Sequence, residues 1–183
     1  NAAFAPIQAA PQFYDASDAL ESSSELGMPV IAWVNDLTNS MYADWPKTLK
    51  DMMRYRWMSG LPLIQQNFFQ LVVLLDMRDP RALLLLGMYL DATLMDYAIR
   101  WGIVPLLEDE DCHVLAQLLW LGMEQLAALE IPLFLQKLAA TPLTPEGRVD
   151  PKQARAVLRS MLPASAQAVS YTHLRAHETS LHL

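Results

Sequence analysis

The feature that most constrains this chain is the apolar stretch that opens at Asp79-Pro80 and continues as Arg81-Ala82-Leu83-Leu84-Leu85-Leu86-Gly87-Met88-Tyr89-Leu90. An Asp can accept from the free amides of a first helical turn, and a Pro just after it supplies a preset φ. The stretch therefore predicts a helix from Arg81 to about Trp101. Leu83, Leu84, Leu85, Leu86, Met88, Tyr89, Leu90, Leu94 and Met95 fall on nearly every side of it. A helix that is apolar almost all round belongs at the buried centre of a domain. On such a helix Asp96 and Arg100 stand four residues apart and form a weak ion pair, worth about 0.3 kcal/mol if exposed.

Other segments are read against that centre. Asn1 to Gln12 is rich in Ala and Pro and reads as a linker, and Asp15 to Glu25 as a short acidic surface helix. Apolar residues at 30, 33, 34, 37 and 41 follow helical spacing, and a further helix after Pro46 carries Leu49, Met52, Met53 and Trp57 to a stop near Ser59-Gly60. Another helix is expected over Ile64 to Met77, then the central helix, then a connection from Gly102 to Leu107. Glu108-Asp109-Glu110-Asp111 puts negative charge at the start of a helix running from about Cys112 to Glu130, where the helix dipole favours it. Leu133 to Leu138 adds a turn or two, Thr141 to Val149 is a loop, and Asp150-Pro151 opens a last helix over Lys152 to Leu162. No internal repeat and no strand is expected. The predicted fold is all-α, an irregular or orthogonal bundle of about six to seven helices. Residues 1–28 are expected to be linker-like or partly disordered, and residues 29–168 to form the helical domain, truncated from a longer protein.

The end of the chain stands apart. Val169-Ser170-Tyr171-Thr172-His173-Leu174-Arg175-Ala176-His177-Glu178-Thr179 resembles one reading frame of a common sequencing-library adapter, and residues 169–183 are accordingly set outside the fold expectation. This matters because three of the four histidines (His173, His177 and His182) lie there. His173 and His177 have the spacing that places two imidazoles on one helix face, a pattern otherwise suggestive of zinc. An adapter-derived tail lacks the fixed surroundings that a metal site needs, so no metal is expected.

Removing the tail takes away one acid and one base and leaves the net charge at −7. An acidic chain without a basic stripe is a poor direct ligand for nucleic acid, which is gripped by Lys and Arg. The single cysteine, Cys112, excludes an internal disulfide and a cysteine-rich metal cluster. The longest apolar stretch, Phe68 to Leu90, is broken by Asp76-Met77-Arg78-Asp79-Pro80, so no segment reaches the ~18 residues that span a bilayer.

Candidate chemistry is sparse. Cys112 and His113 are neighbours on one helix and point about 100° apart, the wrong arrangement for a thiol–imidazole pair. The 108–111 acids lack the alternating oxygen ligands and central Gly of a calcium loop and read as a solvated helix start. Met53, Trp57, Phe68, Phe69, Met88, Tyr89 and Trp101 are the candidates for lining a pocket that takes a flat apolar ligand, although residues at such spacing also build ordinary cores. No phosphate loop, dinucleotide turn or nucleophile elbow is present, and neither catalytic residues nor a cofactor are expected.

From Leu61-Pro62 through Met77-Arg78-Asp79-Pro80-Arg81-Ala82-Leu83-Leu84-Leu85-Leu86-Gly87-Met88-Tyr89 to Trp101-Gly102, the order of features resembles the C-terminal regulatory region of fungal zinc-cluster transcription factors of the sterol-uptake-control type. The likeness covers residues 61–107, about a quarter of the chain. It implies a nuclear, non-enzymatic regulatory domain that senses an apolar small molecule or binds a protein partner and itself touches no DNA. Two alternatives stand beside it: a helical protein-interaction module of another intracellular protein, and a fragment of a helical enzyme with an apolar pocket.

Overall fold

The computed structural model describes residues 31–52 and 63–162. At its centre is a mixed three-stranded sheet in the order β1-β3-β2. Strand β1 is Ala32–Trp33, β2 is Phe69–Leu75 and β3 is Ile99–Pro105. β2 and β3 run parallel, from Phe69 opposite Ile99 to Leu75 opposite Pro105, and β1 pairs antiparallel to β3 through Ala32–Ile103 and Trp33–Gly102. Helix α1 is the short Leu49–Met52, α2 is Pro80–Thr93, α3 is Glu110–Gln125, α4 is Ile131–Ala139 and α5 is Pro151–Met161. Single 3-10 turns lie at Ser40–Tyr42 and Ala128–Glu130.

This is an α/β arrangement, and it overturns the expected all-α bundle. The helix expected over Ile64 to Met77 is an extended loop followed by β2. The helix expected to reach Trp101 ends at Thr93, and its last residues together with the expected connection form β3. The run after Pro29 contributes β1 and a 3-10 turn instead of a helix. The physical reason is shared. Parallel strands read as continuous apolar runs without polar alternation, and such runs have no period to separate them from a buried helix. The β-branched Val72, Val73, Ile99, Ile103 and Val104 are the residues that favour the strand.

The helix starts at Asp79-Pro80 and Asp150-Pro151 are as expected. Asp79 and Asp150 each accept from an amide of the first turn (Arg81 and Lys152), with a Pro at the start of each helix. Asp109 does the same for α3 by accepting from Cys112 N–H. In the expected loop at 141–149, Gly147 N–H bonds Thr144 C=O, and Gly147 carries φ +76°, a conformation an L side chain resists. Residues 1–28 and 169–183, set apart in the sequence reading, fall outside the described residues, as do 29–30, 53–62 and 163–168.

One core fills the space between the sheet and helices α2 to α5. It includes Ala32, Leu75, Leu83, Leu86, Leu90, Trp101, Ile103, Leu115, Leu119, Phe134, Leu138 and Leu158. A smaller cluster of Leu37, Tyr42, Ile64 and Ala98 sits beside it. Asn35 joins the two: its buried amide donates to Tyr42 Oη (3.0 Å) and Ile99 C=O (3.1 Å) and accepts from Trp101 N–H (2.8 Å). The side chain thus continues the β1–β3 ladder where the short strand β1 has ended.

α2 is a wall of the core instead of its centre. It buries Leu83, Leu86, Gly87 and Leu90 while Leu84, Leu85, Met88 and Tyr89 face solvent. Gly87 allows α4 to approach closely, because a Cβ there would lie 2.8 Å from Gln136 Cγ and 2.9 Å from the Pro132 carbonyl oxygen. Helix propensity alone favours Ala over Gly by about 1 kcal/mol. Overpacking against a fixed backbone costs about 1–3 kcal/mol. We therefore expect Gly87→Ala to lower the unfolding free energy in urea titration, and a neutral or stabilised variant contradicts the α2–α4 packing.

Candidate functional site

Two features at the sheet invite a functional reading: an ion cluster at the C-terminal ends of the parallel strands, and the open side of β2.

The cluster centres on Arg78, in the turn between β2 and α2. Its side chain is 7% exposed, whereas Asp76, Glu108 and Asp109 around it keep 34–48% of theirs in contact with solvent. Nε bonds Asp76 (3.2 Å), one terminal nitrogen bonds Asp109 and the other bonds Glu108. The planar fork thus meets three carboxylates from two loops, which an ammonium cannot imitate. Burial by itself lowers the Arg78 pKa, but the hydrogen bonds the guanidinium donates to Asp76 and Glu108 outweigh it and hold the group charged. Asp109 is held below the usual carboxylate range, first by the Cys112 backbone amide and also by Arg78. The Arg78 carbonyl accepts from Val149 N–H (3.0 Å), so the loop before α5 is tied to the same point.

Ligands gather at such strand ends in α/β folds. Here the position where a metal would sit is taken by the guanidinium, and the described residues hold no group of three or more His, Cys, Asp or Glu placed for a metal ion. The cluster is a clamp. The role of Arg78 was missed in the sequence, where it served only to interrupt an apolar run. Its signal was an acid run at 108–111 without a local cation, matched by a lone Arg between Asp76 and Asp79.

Cys112 and His113 do not form a reactive pair. Cys112 is fully buried, and burial pushes its thiol pKa up, while His113 is half-buried on the neighbouring side of α3. Asp96 and Arg100 do not share a helix either: Asp96 lies in the turn after α2, and Arg100, on β3, stacks over the Trp33 ring at 4.0 Å.

The pocket-lining candidates are dispersed. Phe68 and Phe69 are exposed at the start of β2, Met88 and Tyr89 are exposed on α2, and Trp101 is buried in β3. Met53 and Trp57 lie outside the described residues. The structure instead leaves much of β2 open. Phe69, Leu71, Val72 and Leu74 are each 39–45% exposed, and β2 is the outermost strand among the described residues. On α2, Leu84, Leu85, Met88 and Tyr89 are 44–62% exposed. At spacings of three and four they form one apolar stripe.

Residues 14–181 match a family described as a thioredoxin-like domain. The chain belongs to that family. Over 90 residues, 49% of its length, it is also 29% identical to a UDP-glucose:glycoprotein glucosyltransferase of Drosophila melanogaster. Those residues amount to 6% of the fly protein, so the chain spans a small part of that relative. These findings overturn the resemblance to zinc-cluster transcription factors and the regulatory function it implied. The shared Asp-Pro cap and Leu-rich helix belong to any helix so begun, and Trp101-Gly102, expected where the helix gives way to a connection, is the middle of β3.

In this thioredoxin-like domain the redox dithiol has no counterpart. Disulfide exchange of the thioredoxin type uses a Cys-X-X-Cys pair with an accessible thiolate at a helix start. The sequence holds a single cysteine. At the start of α3 Cys112 is buried, and burial first, with the Asp109 side chain second, disfavours its thiolate.

Removing one partner of a buried ion pair costs about 3–5 kcal/mol, less where the remaining carboxylates can take up water, as they can here. We expect Arg78→Met to lose about 2–3 kcal/mol in urea unfolding and Arg78→Lys to fall between it and the parent. Because the folded pKa of Asp109 is depressed, its contribution to stability is present above the ordinary value of 3.8 and is lost as pH falls through the folded pKa. Acid titration of Asp109→Asn should therefore show a shallower stability loss below pH 3.8 than the parent. An unchanged slope contradicts the clamp.

Proposed function

We propose that this thioredoxin-like domain is a redox-silent, non-catalytic module of a larger protein of the glycoprotein glucosyltransferase kind, and that its work is contact with polypeptide. The observation that carries the reading is the apolar surface of β2 and α2. Large exposed apolar patches are rare on soluble monomers and mark interaction sites. Leu71, Val72, Leu74, Leu84, Leu85 and Met88 offer aliphatic surface without hydrogen-bonding groups, which suits the protein part of a glycoprotein better than its glycan.

The similarity to the fly glucosyltransferase supports a setting in which the acceptor is a glycoprotein. Sugar transfer itself requires groups that bind and activate a nucleotide sugar, and the chain shows no phosphate-binding loop or dinucleotide turn.

The test uses the full chain immobilised on a biosensor surface, with one glycoprotein presented in native and in chemically unfolded form. The expected result is binding of the unfolded form, unchanged when its glycans are removed enzymatically and reduced at least tenfold by the pair Leu85→Lys and Met88→Lys. Binding that follows the glycan and ignores those substitutions contradicts the reading. In parallel, Cys112 should resist alkylation in the folded chain and react only once urea unfolds it. Labelling at the rate of a free thiol contradicts the redox-silent assignment.

A further inference from the structure

Among the described residues, charge is buried at one point. Asn35 and Arg78 are the buried polar or charged residues there, and of the two only Arg78 is ionic. The acids that neutralise it are within reach of water: the side chains of Asp76, Glu108 and Asp109 keep 34–48% exposure against 7% for Arg78. A proton can therefore reach the carboxylates while the guanidinium stays inside. Asp76 belongs to the turn from β2 to α2, and Glu108 and Asp109 to the turn from β3 to α3. The Arg78 carbonyl ties in a third turn through Val149 N–H.

The ionisable groups that face Arg78 are Asp76 from its own turn, Glu108 and Asp109 from the turn after β3, and Cys112 from α3. The neighbouring acids Asp79 and Asp150 are turned to the amides of Arg81 and Lys152, at the starts of α2 and α5. Acid removes the charge of the three carboxylates and leaves a buried cation without anionic partners, a state far costlier than a hydrated guanidinium. Hydration requires the turns to part. Asp109 supplies the direction. The closed arrangement holds its carboxyl below the usual range, first through the Cys112 backbone amide, so opening takes up a proton and is favoured as pH falls. The core between sheet and helices is apolar, which confines the opening to the strand ends.

We propose that the Arg78 cluster is an acid-operated latch: in neutral solution it holds three turns shut over Cys112, and in acid it releases them while the rest of the domain stays folded. Cys112 is fully buried and its amide donates to Asp109 (2.9 Å), so parting of the turns uncovers it. The latch does not depend on the polypeptide contact proposed above.

Cys112 is the single cysteine of the chain and therefore reports the opening alone. The probe is 4,4′-dithiodipyridine, which exchanges with thiols in acid as well as at neutral pH. Cys112 Sγ bonds one sulfur of the reagent, the reagent S–S bond breaks, and 4-thiopyridone leaves with the thiol proton, its absorbance giving the rate. The rate in the full chain is divided by that of the urea-unfolded chain at the same pH, with far-UV circular dichroism recorded alongside. Between about pH 7 and about pH 3 the relative rate should rise at least tenfold before the circular dichroism changes. Arg78→Met should reverse the trend. Without the cation the three carboxylates repel one another in neutral solution and acid relieves them, so the relative rate falls with pH. If Arg78→Met does not fold, Glu108→Gln decides: with one acid neutral throughout, its rise should be about a third of the parent's or less. Asp91→Asn, on the exposed side of α2, should leave the profile within twofold.

Labelling that rises only together with loss of the circular dichroism signal overturns the latch, because the opening is then global. A flat profile in the parent chain overturns it as well. A rise in Arg78→Met or Glu108→Gln equal to the parent's assigns the acid sensitivity to other groups and has the same consequence.

Discussion

The described part of the domain depends on Arg78 more than on any other side chain. The sheet and helices bury their own apolar faces, but the turns joining them at the ends of β2 and β3 would be free to separate. A guanidinium 7% exposed and bonded to Asp76, Glu108 and Asp109 holds the two turns together, and its carbonyl holds Val149. The cost of burying the charge is offset because each of its three nitrogens meets a carboxylate. Asp109 has a double role, capping α3 through Cys112 N–H and receiving Arg78. The position at which α/β folds commonly hold a ligand is therefore committed to fastening the fold.

With the strand ends closed and the cysteine buried, what the domain offers outward is its side. The lone Cys112 is buried, which pushes its thiol pKa up, and a single cysteine leaves the thioredoxin-like frame of this chain without the dithiol that usually gives such a frame its chemistry. Along β2 and the outer face of α2, apolar side chains stand in solvent that the core could have used. A surface of this kind is costly unless something covers it. The similarity to a glycoprotein glucosyltransferase covers 6% of that protein, and contact with polypeptide is the role proposed above for this surface.

How much of this was legible in the sequence follows from which interactions are local. Caps are local, and Asp79-Pro80 and Asp150-Pro151 placed the starts of α2 and α5, whereas the acid run 108–111 put α3 from about Cys112, two residues after its start at Glu110. Sheet pairing is not local. Phe69–Leu75 and Ile99–Pro105 have apolar runs without alternation, and nothing within either run states that the other lies 4–5 Å away. The buried-centre reading of α2 failed for a related reason. An all-apolar helix has the same pattern whether neighbours cover every side or one side is left for a partner, and Leu85 and Tyr89 turned out to face solvent. The Arg78 clamp joins residues about thirty positions apart and is invisible until β2 and β3 are paired. Among the pocket candidates, residue type alone grouped Trp101 with Met88 and Tyr89, whereas strand and helix geometry separates them.

The most direct test of the account is amide hydrogen exchange across residues 69–75, resolved residue by residue by NMR. The sheet order β1-β3-β2 among the described residues predicts alternation: slow exchange at Leu71, Val73 and Leu75, whose amides bond to β3, and faster exchange at Gln70, Val72 and Leu74, whose amides face away from β3. Unbroken protection through all seven residues contradicts the account, because it means either that this segment is a helix or that another strand already occupies the edge.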